Sequence, residues 1–241
     1  MRRALVALVV LPFALAACGS NEARVVQEQL TPTATVQQAA KKTAAATTAH
    51  LAFNASGVAG GENASLTGTA DFDLAEGRGS FHADVSEYGA VDLILDGNTA
   101  YLRAPLLKAF LPAGKTWLKL DGKLRRSLKS VPQDPRQALA RLKKVADVRK
   151  VGEETIDGAT TTHYHGVARS GEGTFDVWIG NDDGYVRRVR ADGSGPRASG
   201  EVVITLSNFG EPVSVTAPPA SETADAAALS SLFKARFFKP A

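Results

Sequence analysis

Cysteine is almost absent: Cys18 stands alone in 241 residues. A single cysteine closes no internal disulfide and supplies no CxxC redox or metal pair. Aromatic residues make up 7% of the chain, and Trp117 and Trp178 read as packing anchors rather than as a ligand platform. Long apolar runs are missing too. The one near the start, residues 4–14 (ALVALVVLPFA), falls short of the roughly 20 residues a membrane helix needs. No G-x-S-x-G, H-E-x-x-H or glycine-rich phosphate loop occurs, and no serine or acid is set apart as a nucleophile with a base, which speaks against an enzyme. No excess of charge points to nucleic acid either. Lys and Arg number 28 against 25 Asp and Glu, and Arg2 and Arg3 belong to a leader, so the remainder is close to neutral.

What is present begins at that leader. Arg2 and Arg3 form a basic n-region, residues 4–14 an apolar h-region, and Ala16 and Ala17 supply small residues at a cleavage site. Leu15-Ala16-Ala17-Cys18 resembles the bacterial lipobox. That resemblance implies transfer of diacylglycerol to the Cys18 sulfur, removal of residues 1–17 as a signal peptide and acylation of the new amino group. The protein would then be lipid-anchored at the cell membrane on its extracytoplasmic side. Residues 18–32 read as a polar tether, which at full extension reaches at most about 50 Å.

Residues 33–50 are alanine-rich, with Val36, Ala39, Ala40 and Ala44 on one face, and predict a helix. From about residue 51 the period falls to two. In SLTGTADFDL, Leu66, Ala70, Phe72 and Leu74 alternate with Thr67, Thr69, Asp71 and Asp73, the pattern of a half-buried antiparallel strand. Eight further runs follow: GSFHADV, VDLILD, NTAYLRA, KTWLKLD, TTTHYHGVA, TFDVWIG, GYVRRVR and EVVITLSNF. Gly60-Gly61 and the Asp-Gly pairs at 96, 121, 157, 183 and 192 read as the turns between them. The pattern predicts a meander of about 10 or 11 strands with helices.

A basic insert interrupts the meander. Residues 123–150 carry ten Lys and Arg against Asp134 and Asp147. Asp134 and Pro135 mark a helix start, and Leu139, Leu142, Val145 and Ala146 make one apolar stripe. Its cations Arg125, Arg126, Arg141, Lys143 and Lys144 read either as a solvated face or as a surface for anionic headgroups. The segment 221–241, with Leu229, Leu232, Phe233 and Phe237 at helical spacing, predicts a helical tail that caps the sheet or meets an interface.

His163 and His165 share one face of a strand and could hold a metal, but no acid or thiol close in sequence completes a ligand set, so they read as a surface pair and no metal or cofactor is expected. Asn181-Asp182-Asp183-Gly184 lacks calcium-loop spacing and reads as a hairpin turn.

Three later stretches carry a family resemblance: VGEETIDGATTTHYHG, FDVWIGNDDGYVRRV and ITLSNFGEPVSVTAPP. With the lipobox, tether and first helix, the chain resembles the actinobacterial LppX/LprG-type (LppX_LprAFG) lipoproteins, related in fold to the LolA carrier. The resemblance implies an α+β fold over residues 33–220, in which a single curved antiparallel half-barrel sheet has helices on its concave face. Some members hold acyl chains between sheet and helices. The apolar strand parity here, Leu66, Ala70, Phe72, Leu93, Leu95, Phe175, Val177, Ile179, Ile204 and Leu206, would face that space or simply fill a core. Two functions remain open: a carrier of acylated lipids or glycolipids taken from the bilayer or a membrane exporter, and a non-enzymatic sensor that binds an envelope protein. A hydrolase is a distant third.

Overall fold

The computed structural model describes residues 30–59, 61–122, 135–168, 173–195 and 198–227. Cys18, the signal segment 1–17, Arg125, Arg126 and the Leu/Phe run from 229 lie outside them.

Helix α1 (Pro32–Ala44) starts where the sequence marks it. Pro32 sits at the first turn, and Thr31 Oγ1 accepts from the Ala34 amide at 3.3 Å. Lys41 and Lys42 occupy its last turn, where cations suit the helix dipole. The helix ends six residues before the predicted limit, because Thr48 already opens β1 (Thr48–Ala59). Strands β2 (Glu62–Asp73), β3 (Arg78–Val85), β4 (Gly89–Asp96), β5 (Thr99–Arg103) and β6 (Trp117–Asp121) follow as antiparallel neighbours. After helix α2 (Pro135–Arg141) and a 3₁₀ turn (Leu142–Lys144) comes a second meander: β7 (Val145–Ile156), β8 (Ala159–Ala168), β9 (Gly173–Gly180), β10 (Val186–Gly195) and β11 (Ala198–Ser207). The two meanders join through β1 and β11, with Leu51 opposite Leu206. With β12 (Thr223–Asp225) the result is one open mixed sheet in the order β12-β6-β5-β4-β3-β2-β1-β11-β10-β9-β8-β7.

Four expectations need correction. Among the described residues the sheet has twelve strands rather than ten or eleven, and it is not wholly antiparallel. Its last strand, β12 (Thr223–Asp225), pairs in parallel with β6. The start of the predicted helical tail is therefore sheet. Lys115 Nζ, donating to the Ala220 and Ser221 carbonyls, and the Thr116 amide, donating to Glu222 O, pin it there. Third, the stripe read through Leu139, Leu142, Val145 and Ala146 is not one helix, since Val145 and Ala146 begin β7. The run VADVRKV has valine at every third position, a helical spacing that the strand accommodates through breaks in register at Ala146/Arg149 and Lys150/Gly152, and the Asp157-Gly158 turn decides for a hairpin. Both residues there take positive φ, 48° and 82°. Fourth, Asp192-Gly193 is not a turn but lies inside β10, with Gly193 facing Gly200 and Gly173 on the strands to either side.

Two clusters of buried residues lie along the sheet. The larger joins Val36, Ala39 and Ala40 of α1 and Leu139 of α2 to Leu51, Ala70, Phe72, Phe175, Val177, Ile179 and Leu206. Thr43 locks α1 down: its buried hydroxyl donates to Ala39 O at 2.8 Å and accepts the Val186 amide at 2.9 Å, beside a break in the β9–β10 register. The smaller cluster gathers Leu93, Leu95, Ala100, Leu107, Leu118, Leu120 and Ala226 at the β4–β6 side.

Candidate functional site

Residues directly opposite on neighbouring strands share a face, so the register sorts the inward side chains into rows. One row runs Leu206, Leu51, Ala70, Phe81, Leu93, Leu102, Leu118. Two residues along β1, Ile204, Phe53, Gly68, Ala83 and Val91 line up. Two further, Phe175, Ala191, Val202, Ala55, Leu66 and Val85 do so. The next row is Gly173, Gly193, Gly200, Gly57 and Ala64, nearly bare of side chains. Close backbone approach accounts for three of these glycines, among them Gly200, where a Cβ would sit 2.7 Å from the Ser56 carbonyl oxygen. A Cβ at Gly57 would sit 2.4 Å from the Ser199 carbonyl oxygen, and one at Gly173 2.2 Å from that of Asp192.

The buried apolar side chains of α1 and α2 pack with the leucine row and the row beyond it, not with the glycine row. Over the small-residue end lies a cavity of about 1090 Å³, lined by apolar side chains from Leu51 to Val58 on β1, from Ala64 to Phe72 on β2 and by their neighbours on β3, β4, β5, β10 and β11. The β1 lining alone spans seven residue steps, about 23 Å at the usual strand rise. Leu139 of α2 closes one side. Ser56, Ser65, Ser194 and Ser199, with the acidic residues Asp192 and Glu201, contribute at the hairpin end.

Six of the ten residues expected to face such a space line it: Leu66, Ala70, Phe72, Leu93, Ile204 and Leu206. The other four have the right parity but belong to filled core. Leu95 is enclosed by the β4–β6 cluster. Phe175 lies flat over Gly166 on β8, where an added Cβ would come within 2.4 Å of its ring. Val177 and Ile179 lie in the cluster with α1. The sequence reading missed Phe53, Phe81, Ala83, Val85, Val91, Leu102, Leu139, Val189 and Val202 as lining. The alternation in GSFHADV held the signal for Phe81, Ala83 and Val85.

The opposite face of the sheet is polar, and each of the four histidines meets an aspartate of an adjacent strand there. His50 pairs with Asp71 at 2.7 Å and His82 with Asp92 at 2.8 Å, while His163 and His165 share Asp176 Oδ1 at 2.7 and 3.0 Å. Glu154 of β7 stands 3.1 Å from His163 Nδ1, and Trp178 stacks on the His163 ring. The acids that sequence proximity did not reveal thus come from neighbouring strands. Among the described residues no group of three or more His, Cys, Asp or Glu is arranged to hold a metal ion. Burial pushes the Asp176 and Asp92 carboxyls up, but their side-chain bonds outweigh it and hold both below the ordinary value. The bonds come from His163 and His165 for Asp176 and from Arg103 and His82 for Asp92.

Arg141, Lys143 and Lys144 are exposed at the end of α2 and on the 3₁₀ turn. No described helix is long and apolar enough to cross a membrane.

No family model matches the chain. The crystal structure of the Mycobacterium tuberculosis lipoprotein LppX superposes with a TM-score of 0.55 at 21% identity, over 77% of this chain and 98% of that one. The chain has the LppX fold. LprF from Mycobacterium bovis superposes with a TM-score of 0.53 at 18% identity, over 78% of this chain and 97% of LprF, so the architecture is shared with both lipoproteins. A Streptomyces coelicolor protein named as a lipoprotein is 37% identical over 94 residues, 38% of this chain. That match spans about a third of the relative's own length, 32%. The likeness to LppX and LprF also gives the resemblance seen in the sequence its structural basis. It bears on the fold, and the cavity residues are read from this chain's own rows.

Proposed function

We propose that the protein is a lipid carrier, not an enzyme, that binds acylated lipids or glycolipids in the cavity over the small-residue rows. In this reading the sheet curves as a half-barrel around the ligand, with α1 and α2 on its concave side. Cys18 carries a lipid anchor that holds the protein to the extracytoplasmic side of the cell membrane. The bilayer or an exporter supplies the cargo. The observation that carries the proposal is the cavity itself: about 1090 Å³ of mostly apolar space, above the roughly 300–1,000 Å³ of sites for drug-sized ligands. An elongated apolar space suits acyl chains because they require no polar partners, and each CH₂ moved out of water contributes about 0.8 kcal/mol. The names of the structural and sequence relatives, lipoproteins all, support the anchor.

The test is mass spectrometry of organic extracts from purified protein, together with uptake of a fluorescent long-chain lipid. Long-chain species should co-purify, and uptake should fall in the double variant Ala55→Leu/Ala191→Leu, which narrows the cavity, while its melting temperature stays the same or rises. An empty extract together with no uptake by the parent protein would reject the carrier reading and favour the protein-binding alternative.

A further inference from the structure

Among the described residues, most cations of the sheet are paired with an acid, Arg149 and Arg188 excepted, whereas four of the helical layer are not. On the sheet, Arg78, Arg103, Lys119, Arg187 and Arg190 each have an acidic partner. Lys41, Arg141, Lys143 and Lys144 are exposed and have none among the described residues. They come from segments a hundred residues apart, yet the fold brings those segments together. Gln37 Nε2 of α1 donates to the Lys143 carbonyl at 3.3 Å. Lys41 follows Gln37 by one helical turn and so emerges from the same flank of α1. Neither α1 nor α2 with its 3₁₀ turn contains an acidic residue, so nothing within these helices offsets the charge.

We infer that Lys41, Arg141, Lys143 and Lys144 form a docking surface for an anionic lipid bilayer. A bilayer fits better than an acidic protein. The four cations are long, freely rotating side chains around exposed Gln38 and Ala140, with no exposed apolar anchor between them. A smeared negative surface needs no fixed geometry, whereas a protein interface draws its affinity from buried anchors. The surface also backs onto the cavity, because Leu139, two residues before Arg141, lines it. Docked this way, α2 lies between the headgroups and the space for the ligand.

The experiment uses the full chain with Cys18→Ser, so that no acyl anchor contributes, and measures co-sedimentation with phosphatidylglycerol and phosphatidylcholine vesicles. Binding to the anionic vesicles should be the stronger and should weaken steeply toward 1 M salt, where the screening length shrinks to about 3 Å. Near-surface cations contribute about fivefold each, so Lys41→Gln/Arg141→Gln/Lys143→Gln/Lys144→Gln should lose on the order of 100-fold or more. The double variant Lys143→Gln/Lys144→Gln, which alters only exposed tips, should lose about 25-fold by the same reasoning and serves if the quadruple variant is unstable. The phosphatidylcholine arm reports any attachment through apolar segments. Equal binding to both vesicles, or unchanged binding by a folded variant, would overturn the inference. Lipid uptake into the cavity is read separately, so either proposal can fail alone.

Discussion

Along β1, Leu51 and Gly57 occupy the same face about 20 Å apart and both line the cavity, yet Leu51 is also packed into the buried core while Gly57 leaves the cavity floor bare. The row through Leu51 runs into leucine and phenylalanine and meets the helices, whereas the row through Gly57 is glycine on four successive strands. Parity puts a residue on the inward face, but the size of its row decides whether that face fills. Phe175 shows the two factors acting together. It belongs by register to the row of Ala191 and Ala55, yet its ring turns onto Gly166 and fills the space there. The filled and hollow ends should therefore respond oppositely to loss of side-chain volume.

The largest effect is expected in the filled part. Leu95 is 1% exposed within the β4–β6 cluster, so Leu95→Ala opens a void that rigid neighbours cannot close. It should cost about 2–5 kcal/mol in urea unfolding, with little change in the m-value. A cost below about 1 kcal/mol would mean that this cluster is as loosely filled as the cavity. Gly166→Ala comes next. Its new methyl would meet the Phe175 ring at 2.4 Å, and displacing that ring should cost about 1–3 kcal/mol. Because the displaced ring moves within the row that continues into the cavity, the variant should also take up less long-chain lipid.

Leu66→Ala tests the hollow end. Leu66 is only partly buried and already borders empty space, so truncation removes contact area without creating a new enclosed void. The expected loss is about 1 kcal/mol or less, with a measurable change in lipid uptake. If Leu66→Ala costs as much as Leu95→Ala, the distinction between the two ends collapses.

These contrasts also mark what the sequence could disclose. The inward parity of β2, β4, β9 and β11 was legible because each strand alternates within itself, and six cavity residues followed from it. The glycine row was not legible. Gly57, Gly200, Gly193 and Gly173 become neighbours only through three separate strand registers, one of them joining β1 to β11 across more than a hundred residues. Read locally, Gly193 after Asp192 is the signal of a turn. Likewise His163 and His165 were visible as a pair, but the aspartate between them is eleven residues on, and its place follows from how β8 registers with β9.

The smallest effect concerns what stands behind the filled half. Asp176, on the polar face of β9, is held below its ordinary carboxylate value by His163 and His165 despite the opposing effect of burial. A carboxyl unfolded at about 3.9 and lower when folded contributes its full stability above about pH 4. That contribution is lost as the pH falls through the native value, because the native state must then take up a proton it had resisted. Stability of the parent protein should therefore decline below about pH 4, and Asp176→Asn should flatten that decline while lowering stability modestly at pH 6. Urea midpoints at pH 6 and pH 3 measure both effects. A comparable change on β2, Asp71→Asn, removes a partner of His50 whose own side chain is 45% exposed, and it should shift the midpoint at pH 6 by about 0.5 kcal/mol or less. An equal response at the two sites would show that the polar face is uniform. A larger response at Asp176 follows from its two histidine partners and its lower exposure, 16% against 45% for Asp71.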